Sequence, residues 1–255
     1  MKIDYNDLGG ILKGIGFDGC DLSVQPGGHV APAKSGLFLM PALEAMTGAG
    51  LDVPIITTAF TSPADPNVRN VLGLAGLVDV AIFRPGHWNL AAPSTLTLTQ
   101  PGQTQRELIG LASIAAGAGM STAVHNYVDE HGEASVSQID PLLRGVDPRW
   151  VGFDFDIGYA TVQDSSGWQA AAQAALPRLK AVTVRDFTWS QDKKPIPCAL
   201  GQGVVEWPRF FTMLAAAKFT GPISIHMEYK PKDDLAAIRQ DLQFIKKQIS
   251  ETYRA

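Results

Sequence analysis

From Asp7 to its end the chain alternates stretches patterned for a helix with stretches patterned for a strand, and this regular alternation restricts the fold more than any other feature. Between Asp7 and Gly16, Leu8, Ile11, Leu12 and Ile15 fall on one helical stripe. A strand follows at Gly19–Val24, then a helix over Leu37–Ala49, a strand over Val53–Ala59, a helix over Val68–Leu77 and a strand over Asp79–Phe83. Past a Thr- and Pro-rich loop at Pro93–Gln103, Thr104 and Glu107 form the Thr-x-x-Glu pair that predicts a capped helix start. The fourth strand spans Ser121–Tyr127, with a helix over Val136–Arg144 behind it. The fifth lies in the stretch Val151–Ala160 and is ended by Gly158, where the chain must turn, and a helix follows over Gly167–Leu179. Strands over Ala181–Phe187 and Gly221–Tyr229 and an amphipathic helix over Leu235–Tyr253 complete the chain. Strands and helices in strict alternation predict a parallel sheet covered by helices, an α/β protein.

At 255 residues the simplest such solution is one (β/α)8 barrel domain spanning 1–255. Only seven strands are readable, and the chain opens on a helix that should itself follow a strand. The first strand is therefore expected to be missing or truncated at the N-terminus: either Lys2–Tyr5 is a stunted version of it, or an upstream strand and a targeting segment have been removed. An open doubly wound sheet is disfavoured, because no glycine-rich phosphate fingerprint follows a strand. With 45% hydrophobic and 18% charged residues and no apolar run of about 18 residues, a membrane anchor is not expected. A net charge of -4 without any basic cluster argues against a nucleic-acid partner. Cys20 and Cys198 lack metal-site or redox spacing and read as two unpaired, largely buried thiols. The opening MKIDYNDLGG carries no signal-peptide pattern, so the cytoplasm is the default location if Met1 is the natural start.

The chemistry gathers at strand ends. In VGFDFDIGYA, Val151, Phe153, Phe155 and Ile157 alternate with Asp154 and Asp156, which places both carboxylates on one face of a buried strand. Burying them needs a cation, a metal or a dense hydrogen-bond network. Of five histidines, His29, His87, His125 and His226 lie at or just after C-terminal strand ends, which form the active face of a barrel, and His131 lies in a loop. In GPISIHMEY, Ser224, His226 and Glu228 share a face. His125, Asp156, His226 and Glu228 together would suit a divalent ion, Mn²⁺, Zn²⁺ or Mg²⁺, with the mixed N/O donors fitting the first two better. The plainer reading of the same residues is an ion-pair network without metal. Arg185 could bind a substrate oxygen or neutralise Asp156 and Glu228, and Arg84 can be read in the same two ways. Trp88, Trp168 and Trp189 lie near loops on this face; packing is favoured over stacking on a sugar ring.

From Gly16 to about Lys230, GFDGCDLSVQPGGHV, the pair His125-Asn126, FDIGYA at Phe155–Ala160, VRDF at Val184–Phe187, LGQGVVEW at Leu200–Trp207 and GPISIHMEY resemble the xylose-isomerase-like TIM barrels, among them sugar phosphate isomerases and epimerases. The resemblance implies a divalent metal held over the strand ends by Glu, Asp, His and Glu from the later strands. Asp156 matches the aspartate, and His226 or Glu228 falls where the last glutamate is expected. This chain departs from the pattern at His125 or its neighbour, where a glutamate is usual, at Thr183, where a histidine is usual, and at Tyr159, where many members have histidine. The resemblance further implies a strand ahead of the first helix, a homo-oligomer, and relatives that often carry export signals.

These readings converge on a sugar isomerase or epimerase. A metal held by His125, Asp156, His226 and Glu228 would grip the carbonyl and hydroxyl oxygens and stabilise an enediolate. Glu228, with Asp156, is expected to move the proton, and His29, Arg84, His87, Asn126 and Arg185 to contact a small sugar or sugar phosphate. The alternatives are a lyase acting on 3-keto sugars or glycosides and a non-catalytic sugar-binding barrel. A nuclease of the same superfamily is disfavoured by the acidic balance.

Overall fold

A computed structural model describes residues 4–90, 101–129 and 132–253. His131 and most of the Thr- and Pro-rich loop lie outside that range. Helix α1 (Tyr5–Ile15) starts at Asp4, whose carboxylate accepts the Asn6 amide, and stops at Gly16, which takes a left-handed φ of 107° that favours glycine. The barrel strands are β1 (Gly19–Val24), β2 (Asp52–Thr58), β3 (Ile82–Arg84), β4 (Ser121–His125), β5 (Val151–Asp156), β6 (Leu179–Val184) and β7 (Ile223–Ile225). Between and after them run α2 (Ser35–Gly48), α3 (Val68–Gly76), α4 (Pro101–Gly117), α5 (Val136–Ile139), α6 (Ile157–Gln163), α7 (Trp168–Ala175), α8 (Trp207–Ala216) and α9 (Asp234–Thr252). The strands pair in chain order, every pair parallel.

Among the described residues the sheet has seven strands, and β1 and β7 do not pair, so the barrel is nearly closed with one open seam. This agrees with the expectation of an α/β barrel with seven readable strands; of Lys2–Tyr5, expected as a stunted first strand, residues 2 and 3 lie outside the described residues and Tyr5 is helical. Outward-facing Val151, Phe153 and Phe155 join the large core under the helices, where Phe155 packs on Phe210. Inside the barrel a small apolar plug of Ile55, Ile82, Ala123 and Ala181 fills the lower end. The period-two pleat then puts the next inward residues, Thr57, Arg84, His125, Asp154 and Thr183, in a polar layer above the plug.

Several expected boundaries move, each for a local reason. The fifth strand stops at Asp156, whose side chain accepts the Tyr159 amide and starts α6, so 157–160 are helical. The fourth and sixth strands also end early. The chain leaves them into two antiparallel hairpins, Tyr127–Asp129 with Gly132–Ala134 and Asp186–Trp189 with Pro195–Cys198. The seventh is only Ile223–Ile225, which places His226 and Glu228 beyond it. Thr104 lies inside α4 instead of capping it, and the capping box occurs at Ser135 with Gln138. The helix expected over Val136–Arg144 is a single turn followed by a 3-10 segment at Asp140–Leu143, where Pro141 breaks the α pattern. Helix α8, anchored by Trp207, Phe210, Phe211 and Leu214, was not anticipated. No described helix is long and apolar enough to cross a membrane.

Candidate active site

The polar layer is a chain of charges passed from strand to strand. On β5, Asp154 accepts hydrogen bonds from Arg84 Nη1 at 3.1 Å and Thr183 Oγ1 at 3.0 Å, with His125 Nδ1 at 3.1 Å. Burial would raise this carboxyl, but His125, Arg84 and His226 around it outweigh burial and hold it well below the usual carboxylate range. His125 is enclosed beside it; burial, then the Arg84 charge, pull its pKa down to about 3, so the ring is neutral at pH 7. Asp21, on β1, accepts Thr57 Oγ1 at 2.7 Å and lies 3.9 Å from Arg84 Nη1. Burial pushes its carboxyl upward against Arg84 and Thr57.

Arg185, immediately after β6, is the hub of the second half. Its Nε donates to Asp156 Oδ2 at 2.6 Å, its Nη1 to Glu228 Oε1, and its Nη2 faces His226 Nδ1 at 2.9 Å. The Tyr159 ring lies 4.1 Å from the guanidinium carbon, a cation–π contact. Burial disfavours the charge on Arg185, but Asp156, Tyr159 and Glu228 outweigh it and keep the side chain cationic. Gly158 makes room for it: a Cβ there would lie 2.5 Å from Arg185 Cγ. Asp156 has its other oxygen on the Tyr159 amide at 2.8 Å and is fully buried; burial pushes its pKa up to about 6 against the pull of Arg185. His226 sits between two guanidiniums, with Nε2 3.5 Å from Arg84 Nη1 and 3.9 Å from Asp21 Oδ2. Burial, then both arginines, hold it well below its ordinary pKa.

Most of the expected site residues thus meet at one place, with altered jobs. Asn126 spends its amide on the backbone of Asp156, donating to its carbonyl at 3.0 Å and accepting its N–H at 2.8 Å, so it positions that strand end. His29 is tied to Ser23 Oγ through Nδ1 at 2.9 Å. His87 is exposed and stacks on Tyr127 at 3.9 Å, with the His125 ring 5.8 Å away. Of the tryptophans, Trp88 and Trp168 are buried, and only Trp189, on a hairpin, is exposed. Both cysteines are free and half-buried. Sequence reasoning placed Asp154 on the right face without giving it a partner, gave Asp21 and Tyr159 no role in the site, and overlooked Thr57. It also missed Asp186, which accepts the amides of Gly201, Gly203 and Val205 and the Trp207 indole N–H at 3.0–3.2 Å, pinning the LGQGVVEW loop.

Three of the four side chains expected to ligate a metal converge, but around Arg185, and the fourth, His125, is held on Asp154. Asp156, Glu228 and His226 each give their inward atom to a different nitrogen of its guanidinium. Among the described residues no group of three or more His, Cys, Asp or Glu is placed to hold a metal ion. The expected divalent ion therefore does not fit this donor arrangement. Access comes along the seam, where a cavity of about 870 Å³ runs from Asp52 and Thr220 to Gln25 and His226, lined on its way by Asp21, Thr57 and Arg84. Arg84 Nε is buried there without a hydrogen-bond partner among the described residues.

A family model described as xylose isomerase-like TIM barrel matches residues 73–248. No curated protein matches the chain. Among solved structures, a xylose isomerase-like TIM barrel protein from Mycobacterium smegmatis in complex with magnesium aligns with a TM-score of 0.77 at 14% identity, covering 98% of this chain and 89% of that one. A 3-keto-D-glucoside 4-epimerase from E. coli aligns at 0.73 and 14% identity, covering 97% and 95%. D-psicose 3-epimerase from Clostridium cellulolyticum H10, solved with D-tagatose, aligns at 0.69 and 12% identity, covering 99% and 94%.

Proposed function

The chain belongs to the xylose isomerase-like TIM barrels, and from that premise we propose that it is a carbohydrate isomerase or epimerase that moves a proton next to a carbonyl. The observation that carries this reading is the pairing of Glu228, whose side chain is 41% exposed, with Arg185, whose side chain is 4% exposed. A carboxylate at the mouth can reach substrate, and the cation beside it is fixed from behind by Asp156. Removing a proton next to a carbonyl throws negative charge onto its oxygen, and a preorganised donor at that point lowers the barrier. Glu228 takes the proton, and Arg185 and the Nε2 side of His226 face the developing oxyanion. In an isomerisation Glu228 returns the proton to the neighbouring carbon. An epimerisation needs a second acid, and Asp21, a carboxyl that lines the seam cavity together with Arg84 and His226, is the candidate. Asp156 is too enclosed to touch substrate and acts by positioning Arg185. Arg84 and His87 are left to contact sugar hydroxyls.

Substrate classes follow from the structural neighbours, which are named for 3-keto-glucoside, psicose and ribulose epimerisation. The test is to incubate the protein with ketoses and 3-keto-glucosides and identify products by NMR. A new epimer or aldose formed by the wild type and lost in Glu228→Gln supports the assignment. Release of the aglycone would instead indicate a lyase, and sugar-induced thermal stabilisation without any product a binding barrel.

A further inference from the structure

The centre of the polar layer is filled by a side chain that behaves as an ion. Three acceptors from three places in the chain, Asp156, His226 and Glu228, converge on the three nitrogens of Arg185. A divalent ion in the same place would need those acceptors at about 2.0–2.6 Å, each with a free lone pair. Both oxygens of Asp156 already face a donor, one Arg185 Nε and the other the Tyr159 amide, so neither is turned toward an ion. His125 does not make up the deficit, because its Nδ1 is on Asp154 and its Nε2 is 3.6 Å from Asp156. The neighbouring inward position on β6 is Thr183, which donates to Asp154 and offers no ligand of its own. A dication there would compete with Arg185 for the same acceptors and would also be repelled by the buried Arg84 guanidinium beside His226. The seat for Arg185 is itself shaped, by the missing Cβ at Gly158 and by the Tyr159 ring beneath the guanidinium.

We infer that Arg185 is the resident cation of this site, occupying with its guanidinium the position a divalent metal would need, so that the protein works without one. It follows that emptying the seat should turn the same acceptors into a metal site. The test does not depend on which sugar, if any, the protein turns over, so its failure is separate from failure of the proposed reaction. Wild type, Arg185→Ala and Arg185→Lys are purified, exposed to Mn²⁺, desalted, assayed for bound metal, and melted with Mn²⁺ or with EDTA. The wild type is expected to retain no stoichiometric ion and to show the same melting midpoint in both. Arg185→Ala should melt lower and be raised several degrees by millimolar Mn²⁺, as selective binding to the folded state requires. Arg185→Lys keeps a cation in the seat and should ignore Mn²⁺. One ion per wild-type chain with an EDTA-lowered midpoint would overturn the inference, as would a folded Arg185→Ala that is indifferent to Mn²⁺. If the alanine variant does not fold, wild-type metal content and its EDTA response decide alone.

Discussion

The two sides of this barrel are built to different standards. Along β4 and β5 almost every residue is buried, whereas β1 and β7, the edges of the seam, are mostly half-exposed. On the closed side lie Asp154, His125, Asp156 and Arg185, each held by several partners. On the seam side lie Asp21, His226 and Glu228, more open to solvent and within reach of a ligand. Leu12, Phe17, Ile223, Ile225, Ile238 and Ile249 line the cavity there, all half-buried. The difference teaches that rigidity and access are divided between the walls: the closed wall fixes charges in place, and the seam wall presents them.

The sharpest way to break the comparison is to cut neighbouring residues of β5. Asp154→Ala strips Arg84, His125 and Thr183 of their shared acceptor and leaves a buried cation without its closest partner, which should cost about 3–5 kcal/mol in denaturant unfolding. Phe155→Ala, on the outward face against Phe210, should cost a similar amount of about 3–5 kcal/mol through the cavity it leaves. A loss under about 1 kcal/mol at either site would mean the closed wall is not what fixes the layer.

Titration separates the groups further. His125 is a base lowered from 6.5 to about 3, so on acidification the unfolded chain takes up a proton the native protein refuses. Relative to His125→Gln, the wild type should lose up to about 1.4 kcal/mol per pH unit as pH falls from 6.5 toward 3. Asp156 is an acid raised from 3.8 to about 6, and its effect runs the other way. Relative to Asp156→Asn, the wild type should be favoured most below pH 3.8 and lose that advantage as pH rises through about 6. Urea melts of the three proteins across this range check both slopes, and flat differences would show that the two groups are not enclosed as described. The smallest effect is expected at the seam, where Ile225→Ala, half-exposed on β7, should cost less than about 2 kcal/mol.

Much of this was legible in the sequence. Strands show themselves as short apolar or alternating runs, and VGFDFD declared both its outward face and its two inward carboxylates. The end of that strand was set at Gly158, two residues late, because the alternation runs on through Ile157, while what stops it is a hydrogen bond from the Tyr159 amide to Asp156. Helix α8 had a readable signal in Trp207, Phe210, Phe211 and Leu214, spaced three and four apart. The hairpins after Asn126 and Arg185 left no comparable trace. The neutralising role considered for Arg185 anticipated its contacts with Asp156 and Glu228. Its central place did not follow, because no spacing shows that three acceptors from two strand ends and a loop will meet one guanidinium.

The most direct measurement of the proposed chemistry is deuterium uptake from D₂O at the carbon beside the carbonyl of a ketose, followed by NMR with chelator-treated protein. Uptake by the wild type that disappears in Glu228→Gln is the expected result. No uptake with any ketose or 3-keto-glucoside, or equal uptake by the variant, would contradict a proton-moving site built on Glu228 and Arg185.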